Sequence, residues 1–474
     1  MKKVTVLLGL GLLLATVGGY VVLGQNPPPL VQPSAFACYP SGIRPDYIVS
    51  QDLNRDGWDD LSVACYGSSQ VWQYNNLGSG VFAIPQDGAV VGVPAGPIAL
   101  IAGQLAPGWN QQVGVLSRFA PVVSTIPFGI PGYPFNALVS PQHMAAGYLG
   151  QRDILLDPVI VDSGNGVAPT MQYCVDGAWA PGIALPAGTK PSFVVVADFN
   201  NDKWDDVAVC DSNPAHRAIY VYMNGVGALP AGPTWSIPVG NFDPVTMDTA
   251  DFDGDGFIDI VVVGNDEANE GWARMFLNTV TPSGFAPLAA PVKTWGLGAS
   301  FVEAFDADGY GRPDFVVANY ASQTLTVFLT ETLAAATPVS IATRPNICLA
   351  NHRKEAIKIG SVFKYSLDCG YYPTSIASGD FDRNGKMDIA VTLESAGPVI
   401  DPEECSCIEI IFDVSCGFQG SDGFTQISHQ EVVDRARAAG ANLLPEETSC
   451  NCAGCGNTNT PPKPEIQTGS DSKN

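Results

Sequence analysis

The chain has 474 residues, 46% of them hydrophobic, and carries a formal charge of −24 from 23 Lys+Arg against 47 Asp+Glu. This hydrophobic content excludes global disorder, and the negative charge would repel a phosphate backbone, so no nucleic-acid partner is expected. The length implies several domains or one large repeat array, and Gly at 50 and Pro at 38 imply many turns.

Met1 to Lys3 gives a short basic start, and Val4 to Gly24 is an uncharged run. It reads as a signal peptide cut near Gly24 or as an uncleaved N-terminal anchor long enough to span a bilayer. Either reading puts the remainder outside the cytoplasm as a secreted, cell-surface or periplasmic protein, with membrane contact only through an uncleaved N-terminal segment. Residues 25–37 form a Pro-rich linker.

From residue 38 to 428 one pattern recurs: a short apolar strand, an Asp-rich loop, a second apolar strand, and a third ending in Asn or a small polar residue. The clearest copy is TMDTADFDGDGFIDIVVV, ending at Val263. Others start at Pro45, Pro191 and Pro373, with a worn copy from Phe301. Two eroded copies fill the gap after the first. One holds Gln104 and Gln112 eight apart, as Asp52 and Asp60 are, and the other surrounds Tyr148. Seven units whose two faces each need covering point to radial closure: an all-β propeller of seven blades, each of four antiparallel strands. Residues 429–474 form a Cys-containing C-terminal tail, polar from Asn457 onward.

The loops read D-x-[DN]-x-[DN]-[GK]-x-x-D. Side chains at alternate positions of a tight loop can converge, and calcium takes hard oxygen ligands of this kind. The expected sets are Asp52, Asn54, Asp56, the Trp58 carbonyl and Asp60; Asp198, Asn200, Asp202, the Trp204 carbonyl and Asp206; Asp251, Asp253, Asp255, the Phe257 carbonyl and Asp259; and Asp380, Asp382, Asn384, the Lys386 carbonyl and Asp388. A fifth loop, with Asp306, Asp308 and Asp314, departs from the pattern because Tyr310 stands at its fifth position. Asp, Asn and Gly also make ordinary turns, but the register of five loops, each before an apolar strand, favours Ca2+. An EF-hand is excluded, because no Glu stands at position 12 and no flanking helices are expected.

Loops such as DFDGDGFID between short strands resemble the FG-GAP/VCBS repeat family of integrin-α-like propellers and exported bacterial proteins. The resemblance implies a propeller with structural calcium on its blade loops and no single activity, since such propellers serve adhesion, partner docking and, less often, lyase or hydrolase chemistry.

Twelve cysteines in an oxidising compartment would mostly pair, Cys348 with Cys369 across the insertion in the sixth unit. Cys405, Cys407, Cys416, Cys450, Cys452 and Cys455 have spacings open to disulfides or to a metal. No catalytic motif occurs, and His143, His216, His352 and His429 each stand alone in the sequence. Two functions remain open: a non-catalytic binding, adhesion or scaffold module with a protein or polysaccharide ligand, or a secreted carbohydrate-active enzyme. Acids or histidines converging on the channel would favour the enzyme.

Overall fold

A computed structural model describes residues 35–412, with short breaks and longer ones that include 332–339, 342–361 and 396–405. The N-terminal signal or anchor, Trp109, Asp308, Cys348, Cys369, the basic cluster around His352 and the tail from residue 413 lie outside the described residues.

Seven sheets of at least four strands form seven blades. Blade 1 runs Pro45–Gln51, Asp60–Cys65, Gln70–Tyr74 and Val90–Gly92, from the inner strand outward. The inner strands of blades 2 to 7 are Pro97–Gly103, Pro141–Gly147, Pro191–Ala197, Asp243–Ala250, Ala299–Phe305 and Tyr371–Gly379. Each packs against the next in order, and the last packs against the first, which closes the ring. No helix occurs among the described residues, and so none there could cross a membrane.

Strand chemistry follows position in the blade. The second strands DLSVAC, DVAVCD and DFVVAN are buried at every residue, because neighbouring blades cover both faces, and so they read as apolar runs rather than alternating ones. The inner strands mostly begin near a proline, and each shows a register irregularity there. Proline has no N–H to lose and suits a bulge at a sheet edge. Just after it, a hydroxyl bridges to the next blade: Ser192 donates to the Pro244 carbonyl at 3.2 Å and Ser300 to the Pro373 carbonyl at 3.0 Å.

The apolar core is divided among the seams. One cluster joins blades 4 and 5 through Phe199, Ile219, Met247 and Phe276, and another joins blades 5 and 6 through Phe252, Val261, Phe315 and Phe328. The seventh blade is completed from the other end of the sequence: Ala35–Pro40 pairs antiparallel with Cys407–Phe412 as its outer strand. This strand starts inside the 25–37 segment read as linker.

Tyr39 fastens that closing strand. It is 1% exposed, lies edge-on to Phe82 at 5.8 Å, and its Oη accepts from the Phe82 N–H at 3.1 Å. Tyr39→Ala is expected to cost about 3–5 kcal/mol, as other large aromatic truncations do. Tyr39→Phe, which leaves a buried N–H short of an acceptor, should cost about 1–3 kcal/mol. Denaturant melts of the two variants check both values.

Candidate functional site

Every Asp loop lies between the inner and second strands of its blade, so the loops share one end of the ring. Within each loop the side chains fold the backbone inward. In blade 5, Asp251 accepts from the N–H groups of Gly254, Asp255 and Gly256, Asp253 accepts from Asp255 N–H, and Asp255 from Phe257 N–H. Blade 7 repeats this with Asp380, Asp382 and Asn384, and blade 4 with Asp198, Asn200 and Asp202. Blade 1 keeps the same turns through Asp52, Asn54 and Asp56. Position 6 needs a left-handed backbone, with φ of 89° at Gly57 and 91° at Gly256; Lys203 adopts 79° there despite its side chain.

Two loops bring three carboxylates together. Ligand atoms of Asp251, Asp253 and Asp259 lie within 4.8 Å of one another, as do those of Asp380, Asp382 and Asp388. In blades 1 and 4 the third position is Asn54 or Asn200, which offers an amide oxygen instead. In blade 6, Asp306 accepts from Gly309 and Gly311, Tyr310 is 63% exposed, and the degenerate fifth loop keeps its turns without the fifth-position acid.

The closing acid of each loop is fully buried and has a second task. Asp259 accepts from Phe252 N–H at 2.9 Å, tying down its own loop, and from Asn278 N–H at 2.7 Å, tying down the end of the third strand. Asp60 and Asp206 do the same with Leu53 and Asn76, and with Phe199 and Asn224. Burial pushes these carboxyls up, Asp60 to about 6 and Asp206 and Asp259 to about 7, against the lowering by their backbone donors. The eroded blades retain the tie: Gln112 accepts from Leu105 N–H at 2.8 Å and Asp157 from Gly150 N–H at 2.9 Å. The spacing of Gln104 and Gln112 signals the first of these in the sequence. Asp157, in a loop of different length, carries no such signal.

Sequence reasoning missed the channel. Tyr47, His143, Phe193 and Phe301, from the inner strands of blades 1, 3, 4 and 6, meet across the axis. His143 stacks on Phe193 at 3.5 Å, and Tyr47 and Phe193 each lie edge-on to Phe301, at 5.6 and 6.0 Å. His143 Nδ1 accepts from Val194 N–H at 3.4 Å, so Nε2 holds the ring proton and donates to Tyr47 Oη at 3.1 Å. Burial pushes this imidazole down to about 3, which keeps it neutral. Two residues further along their strands, half-buried Asp248 and Glu303 cap edge N–H groups of the following blade. Asp248 accepts from Ala304 N–H at 2.7 Å, and Glu303 from Ser378 N–H at 3.2 Å and Ser378 Oγ at 2.9 Å. None of these six channel groups can be recognised from spacing alone, because they come together only when the ring closes.

Trp58 takes part in a blade seam: the Arg383 guanidinium of blade 7 covers its ring at 4.4 Å. Cys65, Cys174 and Cys210 are buried free thiols, raised by burial, the first two to about 12. The pairing expected of most cysteines does not extend to these three.

Two predictions follow from this geometry. Asp157→Ala should destabilise by about 1–3 kcal/mol, equally with calcium or EGTA, because its blade has the tie but no metal loop. For the channel, burial raises Asp248 to about 6 and raises Glu303 to about 8, with the Asp248 charge adding to the effect on Glu303. Tyr47 and neutral His143 are the other titratable groups facing them. A raised folded-state carboxyl stabilises when protonated, so this contribution is present in acid and is lost as pH rises through about 8. Glu303→Gln should therefore flatten the fall in stability between pH of about 5 and 8.5, measured by urea melts in EGTA.

Residues 198–262 match the family model described as FG-GAP-like repeat, which covers blade 4 from its loop onward and most of the first two strands of blade 5. The loops of blades 1 and 7 repeat that pattern. No curated protein sequence matches the chain. Among solved structures, the chain is similar to BBS1N in complex with ARL6DN, in one crystal soaked with mercury and another soaked with lead. Both show 12% identity and a TM-score of 0.49 over 81% of this chain, covering 96% and 98% of the respective matched chains.

Proposed function

We propose that this protein is an exported, calcium-stabilised propeller that acts as a binding, adhesion or scaffold module, holding a protein or polysaccharide ligand at the cell surface or in a larger extracellular assembly. An FG-GAP-like propeller is in general a binding or scaffold module. The observation that carries the calcium reading is the convergence of Asp251, Asp253 and Asp259, and of Asp380, Asp382 and Asp388, in loops of one repeated design. The donors are hard oxygens, and the charge they concentrate favours a divalent cation. Asp255 and the Phe257 carbonyl would join the first set, and Asn384 and the Lys386 carbonyl the second. Asp52, Asn54, Asp56, Trp58 and Asp60 would hold a third ion, and Asp198, Asn200, Asp202, Trp204 and Asp206 a fourth. Calcium bound there would cross-link each loop to the head of its second strand. Export rests on the uncharged run from Val4 to Gly24.

A carbohydrate-active enzyme is the second reading, and it draws on the convergence of His143, Asp248 and Glu303 in the channel. Their bonding favours the scaffold. Both His143 nitrogens are engaged, the imidazole is neutral, and each carboxylate caps a backbone N–H of the next blade.

Thermal unfolding of the protein in calcium, in EGTA and after calcium is restored tests the proposal. Each site occupied at about 100 times its Kd adds ~2.7 kcal/mol, so EGTA should lower the melting temperature markedly and reversibly. The double variant Asp251→Asn, Asp253→Asn should lose part of that shift. An unchanged melting temperature in EGTA would reduce the loops to turns.

A further inference from the structure

The second residue of an Asp loop is held through both of its backbone polar groups, its N–H and its carbonyl. Its N–H donates to the buried closing acid of its own blade, as Phe199 does to Asp206 and Phe381 to Asp388. Its carbonyl accepts from a side chain of the following blade. Phe381 O accepts from Asn76 Nδ2 at 2.9 Å and Phe199 O from Asn278 Nδ2 at 2.6 Å; Asn224 Nδ2 makes the same kind of bond, at 2.9 Å, to Leu149 O of blade 3, which has no Asp loop. Each Asn then donates its own backbone N–H to the closing acid of its blade: Asn76 to Asp60, Asn224 to Asp206 and Asn278 to Asp259. A continuous hydrogen-bonded path thus runs from Asp206 through Phe199 and Asn278 to Asp259, from one loop to the next.

Blade 6 reaches the same end with another residue. Thr330 stands in the Asn place and donates its N–H to Asp314 at 2.6 Å, but its hydroxyl turns to the Pro313 carbonyl of its own blade. The bond back to blade 5 comes instead from the blade 6 loop itself: Arg312 Nη1 donates to the Asp253 carbonyl, and to the Phe252 carbonyl at 3.5 Å. A guanidinium from the loop thus replaces an amide from the third strand at one point of the neighbouring loop.

We propose that Asn76, Asn278 and Arg312 are positioning residues that couple adjacent metal loops, so that calcium affinity in one blade depends on a side chain of the next. This rests on the calcium reading above. Asn278 grips the Phe199 carbonyl, between the first ligand Asp198 and the third, Asn200, and Arg312 grips the carbonyl of the third ligand, Asp253, itself, so each fixes the backbone that aims those side chains. Hydrogen bonds in series also polarise one another. None of the three side chains belongs to the ligand set it would control.

Calcium titrations by calorimetry on the metal-stripped full chain test this with wild type, Asn278→Ala, Arg312→Ala, and the double variant Arg312→Ala, Thr330→Asn, which rebuilds the Asn bond in blade 6. Each single variant should weaken one site by about tenfold without removing a ligand, the loss expected for one hydrogen bond to a buried partner. The double variant should recover most of the affinity lost in Arg312→Ala. Arg312 is only half-buried at the loop face, so its variant keeps the test open if Asn278→Ala does not fold. Wild-type affinity in Arg312→Ala, even with a lower melting temperature, would overturn the coupling and leave the bonds as seam contacts. A double variant no tighter than Arg312→Ala would also overturn it. A flat titration of wild type would end the calcium reading itself, and the coupling with it.

Discussion

The buried carboxylate that opens the second strand of a blade is the interaction on which the rest depends. In blade 5 one Asp side chain fixes the second residue of its loop and the last residue of the third strand, so three strands of the sheet share one acceptor. A carboxylate removed from water is costly unless its oxygens are engaged, and two backbone N–H groups offset part of that cost, burial still pushing the carboxyl up to about 7. The same group then faces the remaining loop acids. Under the proposed calcium reading, sheet geometry and cation chemistry would meet on one residue in each blade with an Asp loop, and a Gln or Asp retains the structural half where the loop acids are gone.

The channel solves a different problem. Inner strands have one unpaired edge each, and seven such edges face the axis. Part of that exposure is met by Asp248 and Glu303, and the aromatic contact of Tyr47, His143, Phe193 and Phe301 fills the middle. The protein thereby closes with four blades touching across the axis as well as each blade touching its neighbours. A histidine and two acids in a channel resemble an active site in composition, yet their bonds are to backbone groups, a serine and a tyrosine of the frame.

Much of this was legible in the sequence where the signal is local. The nine-residue loops, the apolar second strands and the third strands AIYVYMN and WARMFLN lie in the structure where the repeat puts them. The blade number was legible as well, because Gln104 and Gln112 keep the spacing of a lost acid pair. What could not be read depends on closure. His143 and Tyr47 lie 96 residues apart, and their bond exists only because blades 1 and 3 face each other across the axis. The role of Asn278 was half visible: its place at a strand end is part of the repeat, but the loop that its amide reaches belongs to the blade before.

The closing blade carries a consequence for how the molecule is made. Ala35–Pro40 finds its partner strand at Cys407–Phe412, so the first described strand emerges from the ribosome long before the strand it must pair with. Joining segments so distant in sequence carries a large entropic cost before any contact repays it. Through most of synthesis, blade 1 would have no seventh blade beside it, and the Tyr39 strand would hold an open edge. Six blades can form in order, but the ring cannot. Such a chain is most exposed to strand exchange between copies, or to capture by a chaperone, in the interval just before its last described strand is finished.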